Sequence, residues 1–268
     1  MTWLIGLDDA NMLRDGRWVH ESSPAPVPGY ARDAMWDGAQ AVLYRAVGST
    51  NKTMVFRAVN QIYTPALISL HDVRIYGARI ERLRVEASTN GSSWITVREW
   101  YEDDLRRSDW SVYTSGAALS TAQYLRITLV PRTGGEGAEW AIGEVCIFLD
   151  AIFSADLSNA PPPARRTQRA RRWTTVANGP WRTKLSEPTS EYVISFPAIN
   201  RPGQIELLEE IWRRCDGALR PVVLVPDASQ WRAIHGHLSD VLEYALGLGG
   251  VYDEGISLVV TESMRSLR

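Results

Sequence analysis

Four histidines, His20, His71, His235 and His237, are the obvious side chains for metal binding or proton transfer in this chain. None has the spacing of a metalloprotease helix or a zinc finger. His235-Gly-His237 would place two imidazoles on one face of a strand, a pair that needs a third ligand to hold a metal. No third ligand is identifiable, so neither a metal nor any other cofactor is expected. Cys146 lies in an apolar strand-like run and Cys215 on the apolar side of a helical pattern. Both read as small buried hydrophobes and not as nucleophiles. Glu102-Asp103-Asp104 has the chemistry to seat calcium or to supply a hydrolase carboxylate pair, and a charged loop after a strand explains it equally well. Gly247-Leu-Gly-Gly is followed by no Gly-Lys-Ser/Thr, G-x-S-x-G is absent, and no spacing orders a Ser-His-Asp triad. The chain is therefore expected not to be an enzyme.

The aromatic residues are more suggestive. Trp94, Trp100, Tyr101, Trp110 and Tyr113 surround an expected loop over 102–122. Rings on the rim of a β-sandwich can stack on sugar faces or anchor a partner protein. Trp94 is assigned to the core; Trp100, Tyr101, Trp110 and Tyr113 are the candidate glycan or partner contacts. A second candidate set is cationic. Ser158 to Arg172 runs from three consecutive prolines into Arg165, Arg166, Arg169, Arg171 and Arg172. Proline stiffness and charge repulsion make this an extended linker, and its arginines are expected to contact neighbouring subunits.

Elements that would position these residues follow from the hydrophobic pattern. Arg82-Leu-Arg-Val-Glu-Ala alternates strictly, with Leu83, Val85 and Ala87 on one side, as in an antiparallel strand with one wet face. Asn90-Gly91 then supplies the positive φ angles of a tight hairpin, and Trp94 to Trp100 returns as the partner strand. Tyr124 to Val130 alternates again, with Leu125, Ile127 and Leu129 inward. Runs at 41–46, 54–59, 66–70 and 140–148 add further strands. Many short strands with regular turns predict a β-sandwich over about 33–152. Residues 1–32, rich in Pro between His20 and Asp33, read as an N-terminal arm; 153–172 reads as the linker. From Trp173 to the end the pattern becomes α+β. Glu191 to Phe196 reads as a strand. A helix starts at Asn200-Arg201-Pro202, with Ile205, Leu208, Ile211, Trp212 and Cys215 on one face and a stop at Gly217. Pro221-Val-Val-Leu-Val-Pro reads as a buried strand, with strand-like runs at His235, Val241 and Ile256.

Composition narrows the function classes. The 268 residues suit one large or two ordinary domains, and the 45% hydrophobic content excludes bulk disorder. A formal net charge of -2 argues against a nucleic-acid partner. Only Lys52 and Lys184 among the 29 basic residues are lysine, a bias that fits a GC-rich genome first and arginine-mediated interfaces second. Two cysteines are too few for a disulfide scaffold. Met1 to Leu7 lacks the basic and apolar regions of a signal peptide, and no run approaches the ~18–20 apolar residues of a membrane span, so a soluble chain is expected.

The front region also resembles a known family. Ala66-Leu-Ile-Ser-Leu-His-Asp, Ile80 to Ala87, Ser88-Thr-Asn-Gly-Ser-Ser-Trp94, Gln123-Tyr-Leu-Arg-Ile and Ile142-Gly-Glu-Val-Cys-Ile-Phe resemble, in that order, the discoidin (coagulation factor 5/8 type C) group of galactose-binding-like domains. The resemblance covers about 33–150 and lacks the family's usual terminal cysteines. It implies a jelly-roll sandwich whose end loops hold glycans or proteins, with no binding residue transferred. Ser195-Phe-Pro-Ala, the helix from Gln204 to Asp216 and Arg220 to Asp227 are similar in arrangement to tail-tip or baseplate segments of tailed bacteriophages. That similarity implies a mainly β virion protein, assembled in the host cytoplasm into a phage tail. Its partners would be other tail proteins, copies of itself and a host glycan. A free carbohydrate-binding module is the alternative.

Overall fold

The computed structural model describes residues 4–38, 43–47, 51–115, 121–153, 164–167, 170–174, 180–184, 189–196, 202–216, 219–227, 230–238 and 256–263. In chain order the front half forms β1 (Leu4–Leu7), β2 (Trp18–Ser22), β3 (Tyr44–Val47), β4 (Lys52–Ala58), β5 (Leu67–His71), β6 (Arg74–Ile75), β7 (Ile80–Ser88) and β8 (Ile95–Tyr101). There follow α1 (Glu102–Arg107), β9 (Val112–Ser115), β10 (Tyr124–Pro131), β11 (Glu139–Ile142), β12 (Glu144–Phe148) and β13 (Ile152–Phe153). The rear half forms β14 (Ala164–Thr167), β15 (Ala170–Thr174), β16 (Pro180–Lys184), β17 (Thr189–Phe196), α2 (Pro202–Arg214), β18 (Pro221–Val225), β19 (Ile234–Leu238) and β20 (Ile256–Glu262).

The expected sandwich is present. One layer is the sheet β2-β4-β10-β7-β8; the facing layer combines β12-β5-β9 with β3-β11-β6. Alternation decides which side chains meet between them. Leu83, Val85 and Ala87 of β7 and Leu125, Ile127 and Leu129 of β10 are buried with Met54, Phe56, Ile68, Leu70, Trp140 and Ile147. The other face of the first layer is held by ion pairs. Glu86 accepts two 2.8 Å bonds from Arg126, and Glu99 accepts from Arg84 at 2.9 and 3.0 Å. The β7–β8 hairpin turns where Asn90-Gly91 predicts. Gly91 has φ 74°, and Asn90 Oδ1 accepts the Ser92 and Ser93 N–H groups at 2.9 Å.

A third sheet, in order β13-β1-β18-β19-β20-β17-β14, covers the sandwich. Its pattern is antiparallel, with Ile5 opposite Leu224 and Val223 opposite His235. Pro221 to Val225 is buried throughout because both faces of β18 are covered. Val222 and Leu224 pack with Ile211 and Cys215 at the end of α2, whereas Val223 and Val225 pack with Leu67, Cys146 and Phe148 of the sandwich. Among the described residues these elements stack as sheet, sheet, sheet and helix. A backbone hydrogen bond from the Ala233 N–H to Ser111 O, 3.1 Å, links the residues just before β19 and β9.

Three expectations are corrected. Residues 1–32 are not a detached arm from Leu4 onward: β1 completes the third sheet and β2 pairs with β4. The apolar Leu4-Ile-Gly-Leu run buries both of its faces there, which outweighs the extended propensity of the Pro-rich stretch after it. Within 102–122, expected as loop, α1 and β9 form. Asp104 Oδ2 accepts the Tyr101 N–H at 3.1 Å, and an acidic first turn with a basic last turn suits the helix dipole. Parts of the expected linker are paired strand, with Arg165 opposite Glu191 in β14–β17. The helix expected near Asn200 begins at Pro202, and Asp216 adopts the left-handed conformation (φ 51°) at its end. Asn200, Gly217 and the run at Val241 lie outside the described residues.

Candidate functional site

A cleft of about 670 Å³ opens at the edge of the sandwich, lined by Trp18, His20, Pro26, Arg32, Asp33 and Trp36 among others. Local structure explains the placement. β2 delivers Trp18 and His20 from neighbouring same-face positions of one strand. A single 3₁₀ turn, Asp33–Met35, buries Ala34 and Met35, which anchors the loop and leaves Arg32 and Asp33 exposed beside the half-buried Trp36. Arg14 Nε holds the loop by donating to Trp36 O at 3.0 Å. His20 and Trp36 stack with ring centroids 6.3 Å apart and planes 25° from parallel, and both meet the edge of Phe56. Burial, and then the Arg32 charge, hold His20 below the ordinary histidine range, so the ring is neutral near pH 7. Two nitrogens among these lining residues, Trp18 Nε1 and His20 Nε2, are buried without a hydrogen-bond partner among the described residues. Unpaired buried polar atoms of this kind are costly to a fold. The cleft combines a stacked aromatic pair with one charge of each sign.

A smaller cavity of about 310 Å³ lies between the β6–β7 connection and α1, lined by Ile75, Tyr76, Arg79, Ile80, Glu102 and Trp110 among others. Glu102 accepts from Arg79 at 2.8 Å and from Arg106 at 2.9 Å, and those pairs hold its carboxyl below the ordinary range. The acidic trio therefore serves α1: Glu102 is paired with arginines and Asp104 caps the helix.

The four sequence-nominated aromatic residues do not form one surface. Trp100 is 1% exposed and belongs to the sandwich core, because strand alternation turns it inward. Tyr113 is 3% exposed, packed between the second and third layers, with its hydroxyl pushed up to about 12 by burial and then by Asp227. Neither can contact a glycan. Tyr101 is 55% exposed on the outer face, donating to Glu99 Oε2 at 3.1 Å. Trp110 alone lines a cavity, held at φ 62° by its N–H bond to Leu105 O, 2.7 Å. Trp94, assigned to the core, is half-buried beneath Arg126, whose guanidinium carbon lies 4.2 Å from the ring centroid. Arg165 and Arg166 lie on β14 and Arg171 and Arg172 on β15, while Arg169 is outside the described residues. His235 is buried, and burial, then His237 and Arg14, push it down to about 3, whereas His237 is half-buried. Cys146 and Cys215 are buried thiols, as expected.

The cleft residues His20, Arg32, Asp33 and Trp36 were not singled out by spacing. They are scattered over a Pro-rich stretch and converge only through β2 pairing and the 3₁₀ turn. Trp36-Asp-Gly38, an aromatic residue beside a turn ahead of β3, is the one local signal. Among the described residues no helix is long and apolar enough to cross a membrane.

No family model and no curated protein matches the sequence. Solved structures with a similar course of chain include carbohydrate-binding modules. One is CpGH89CBM32-6, produced by Clostridium perfringens, at 14% identity and TM-score 0.40, covering 52% of this chain and 99% of that one. Another is the family 32 module of NanJ from C. perfringens in complex with galactose, at 14% identity and TM-score 0.39, covering 54% and 98%. A third is the family 32 module of AlyQ in complex with 4,5-unsaturated mannuronic acid, at 18% identity and TM-score 0.36, covering 50% and 94%.

Proposed function

We propose that this protein is a non-catalytic carbohydrate-binding protein and that its glycan occupies the His20–Trp36 cleft. The observation that carries the reading is the coincidence, in one open cleft, of the stacked His20–Trp36 pair with the exposed Arg32 and Asp33 side chains. A hexose presents an apolar C–H face to stack on an indole and a rim of hydroxyls that donate and accept hydrogen bonds. The exposed Arg32 guanidinium can donate to those hydroxyls and the Asp33 carboxylate can accept from them. Arg32 and Asp33 place one charge of each sign at the mouth, which favours a neutral sugar over an acidic one.

The test uses the full chain on a printed glycan array, followed by calorimetry with the best glycan. Trp36→Ala should weaken binding roughly tenfold through lost stacking and His20→Ala by a similar factor, with Trp110→Ala unchanged. A silent array overturns the reading. So does binding that survives both cleft variants and falls with Trp110→Ala.

A further inference from the structure

Between the sandwich and the third sheet the packing changes character along two paired strands. β5 and β12 are buried on both faces, and Leu67, Ser69 and His71 stand opposite Phe148, Cys146 and Glu144. At one end of this row Leu67 and Phe148 meet Leu4 and Val223 of the third sheet, and Ala233 just before β19, in an apolar contact. At the other end the residues are donors. The ligating atoms of Glu144, Cys146 and His235 all lie within 4.8 Å of one another, and all three residues are buried. His71 adjoins them, its ring centroid 5.4 Å from that of His235.

We propose that Glu144, Cys146 and His235, with His71 as the adjacent fourth donor, form a structural zinc site that pins the third sheet to the sandwich. Thiolate, imidazole and carboxylate together are a zinc donor set, and four protein ligands make the closed tetrahedral site of a structural zinc. Bond lengths of about 2.0–2.3 Å require the donor atoms to draw closer together than they now stand. Supporting contacts are in place around the donors. Ser263 Oγ lies 3.1 Å from His235 Nδ1, Ser69 Oγ lies 2.9 Å from His71 Nε2, and the Gly38 N–H donates to Glu144 at 3.1 and 3.2 Å. Such outer contacts orient metal ligands and fix their tautomers. Without a metal, an interlayer otherwise packed with apolar side chains must bury a thiol, two imidazoles and a carboxyl group together, which is costly. Glu144 and Cys146 come from one layer and His235 from another, so binding would couple to docking of the sheets.

The experiment uses full-length protein purified without chelator. Elemental analysis should find about one zinc per chain. Chelated protein reloaded with cobalt(II) should show a thiolate-to-cobalt charge-transfer band and tetrahedral d–d bands. Cys146→Ser should lose the charge-transfer band. Ser263→Ala changes a half-buried supporting residue and leaves all four donors intact; it should weaken zinc affinity about 10–100-fold. Chelation should lower the melting temperature, and zinc should restore it. Should a core variant fail to fold, the wild-type cobalt spectrum decides alone. Folded wild-type protein that retains no zinc, shows no cobalt–thiolate band and melts identically with chelator or zinc overturns the proposal. Glycan binding is read separately at the cleft, so either conclusion can fail without the other.

Discussion

Glu86 shows how one side chain on the outer sheet face carries more than surface polarity. Burial alone would raise its carboxyl, but the Arg126 fork, Arg84 and the Thr128 hydroxyl together bring it below the ordinary value of 4.5. A carboxylate depressed in the folded state contributes stability that is present above about 4.5 and lost as pH falls through the folded value. Glu86→Gln should therefore cost about 1–2 kcal/mol at pH 7, and the gap to wild type should narrow on acidification. Chemical denaturation of both proteins at pH 7 and pH 3.5 checks this. A gap that widens in acid would show that the Arg126 pair is not what holds Glu86. The same reasoning explains why Trp100 and Tyr113 failed as ligand candidates. Their ring chemistry suits sugars, but each is buried, and a ring without exposed face cannot stack on anything that arrives from solvent.

At the scale of elements, β19 is held where it is by an absence of side chain. A Cβ on Gly236 would lie 2.3 Å from the carbonyl oxygen of Thr261 in β20, a backbone atom with little room to yield. Gly236→Ala should destabilise the chain by about 1–3 kcal/mol and displace His235 and His237 with it. Thermal melts measure the first effect, and metal content of the variant measures the second. Much of the element pattern was legible beforehand. Strict alternation at β7 and β10 named the inward residues correctly, and Asn90-Gly91 named the turn, because one wet face imposes a period of two. α1 was missed because six residues are too short to show helical periodicity; its signal was the acidic first turn and basic last turn.

The whole molecule is tied together from its beginning. β1 lies between β13 and β18, and Trp18 of β2 is 1% exposed within the sandwich core. A fragment spanning 33–150 would lack both strands and would expose Leu67, Cys146 and Phe148, which the third sheet covers. It should aggregate or give poor near-UV dichroism, whereas the full chain should unfold in one cooperative calorimetric transition. A well-folded, monomeric 33–150 fragment would show that the sandwich stands alone.

Alternation, turn chemistry and the run of β-rich segments were enough to assign a β-sandwich ahead of an α+β region, because these depend on neighbours a few residues apart. The continuous apolar run at β18 announced a buried strand without naming the cover. Which strand lies over which, that Leu4 to Leu7 pair with residues near the other end of the chain, and that His20 meets Trp36 or Cys146 meets His235 are outcomes of long-range pairing. No local propensity encodes such meetings: they arise when separate apolar faces find one another and carry their polar passengers along.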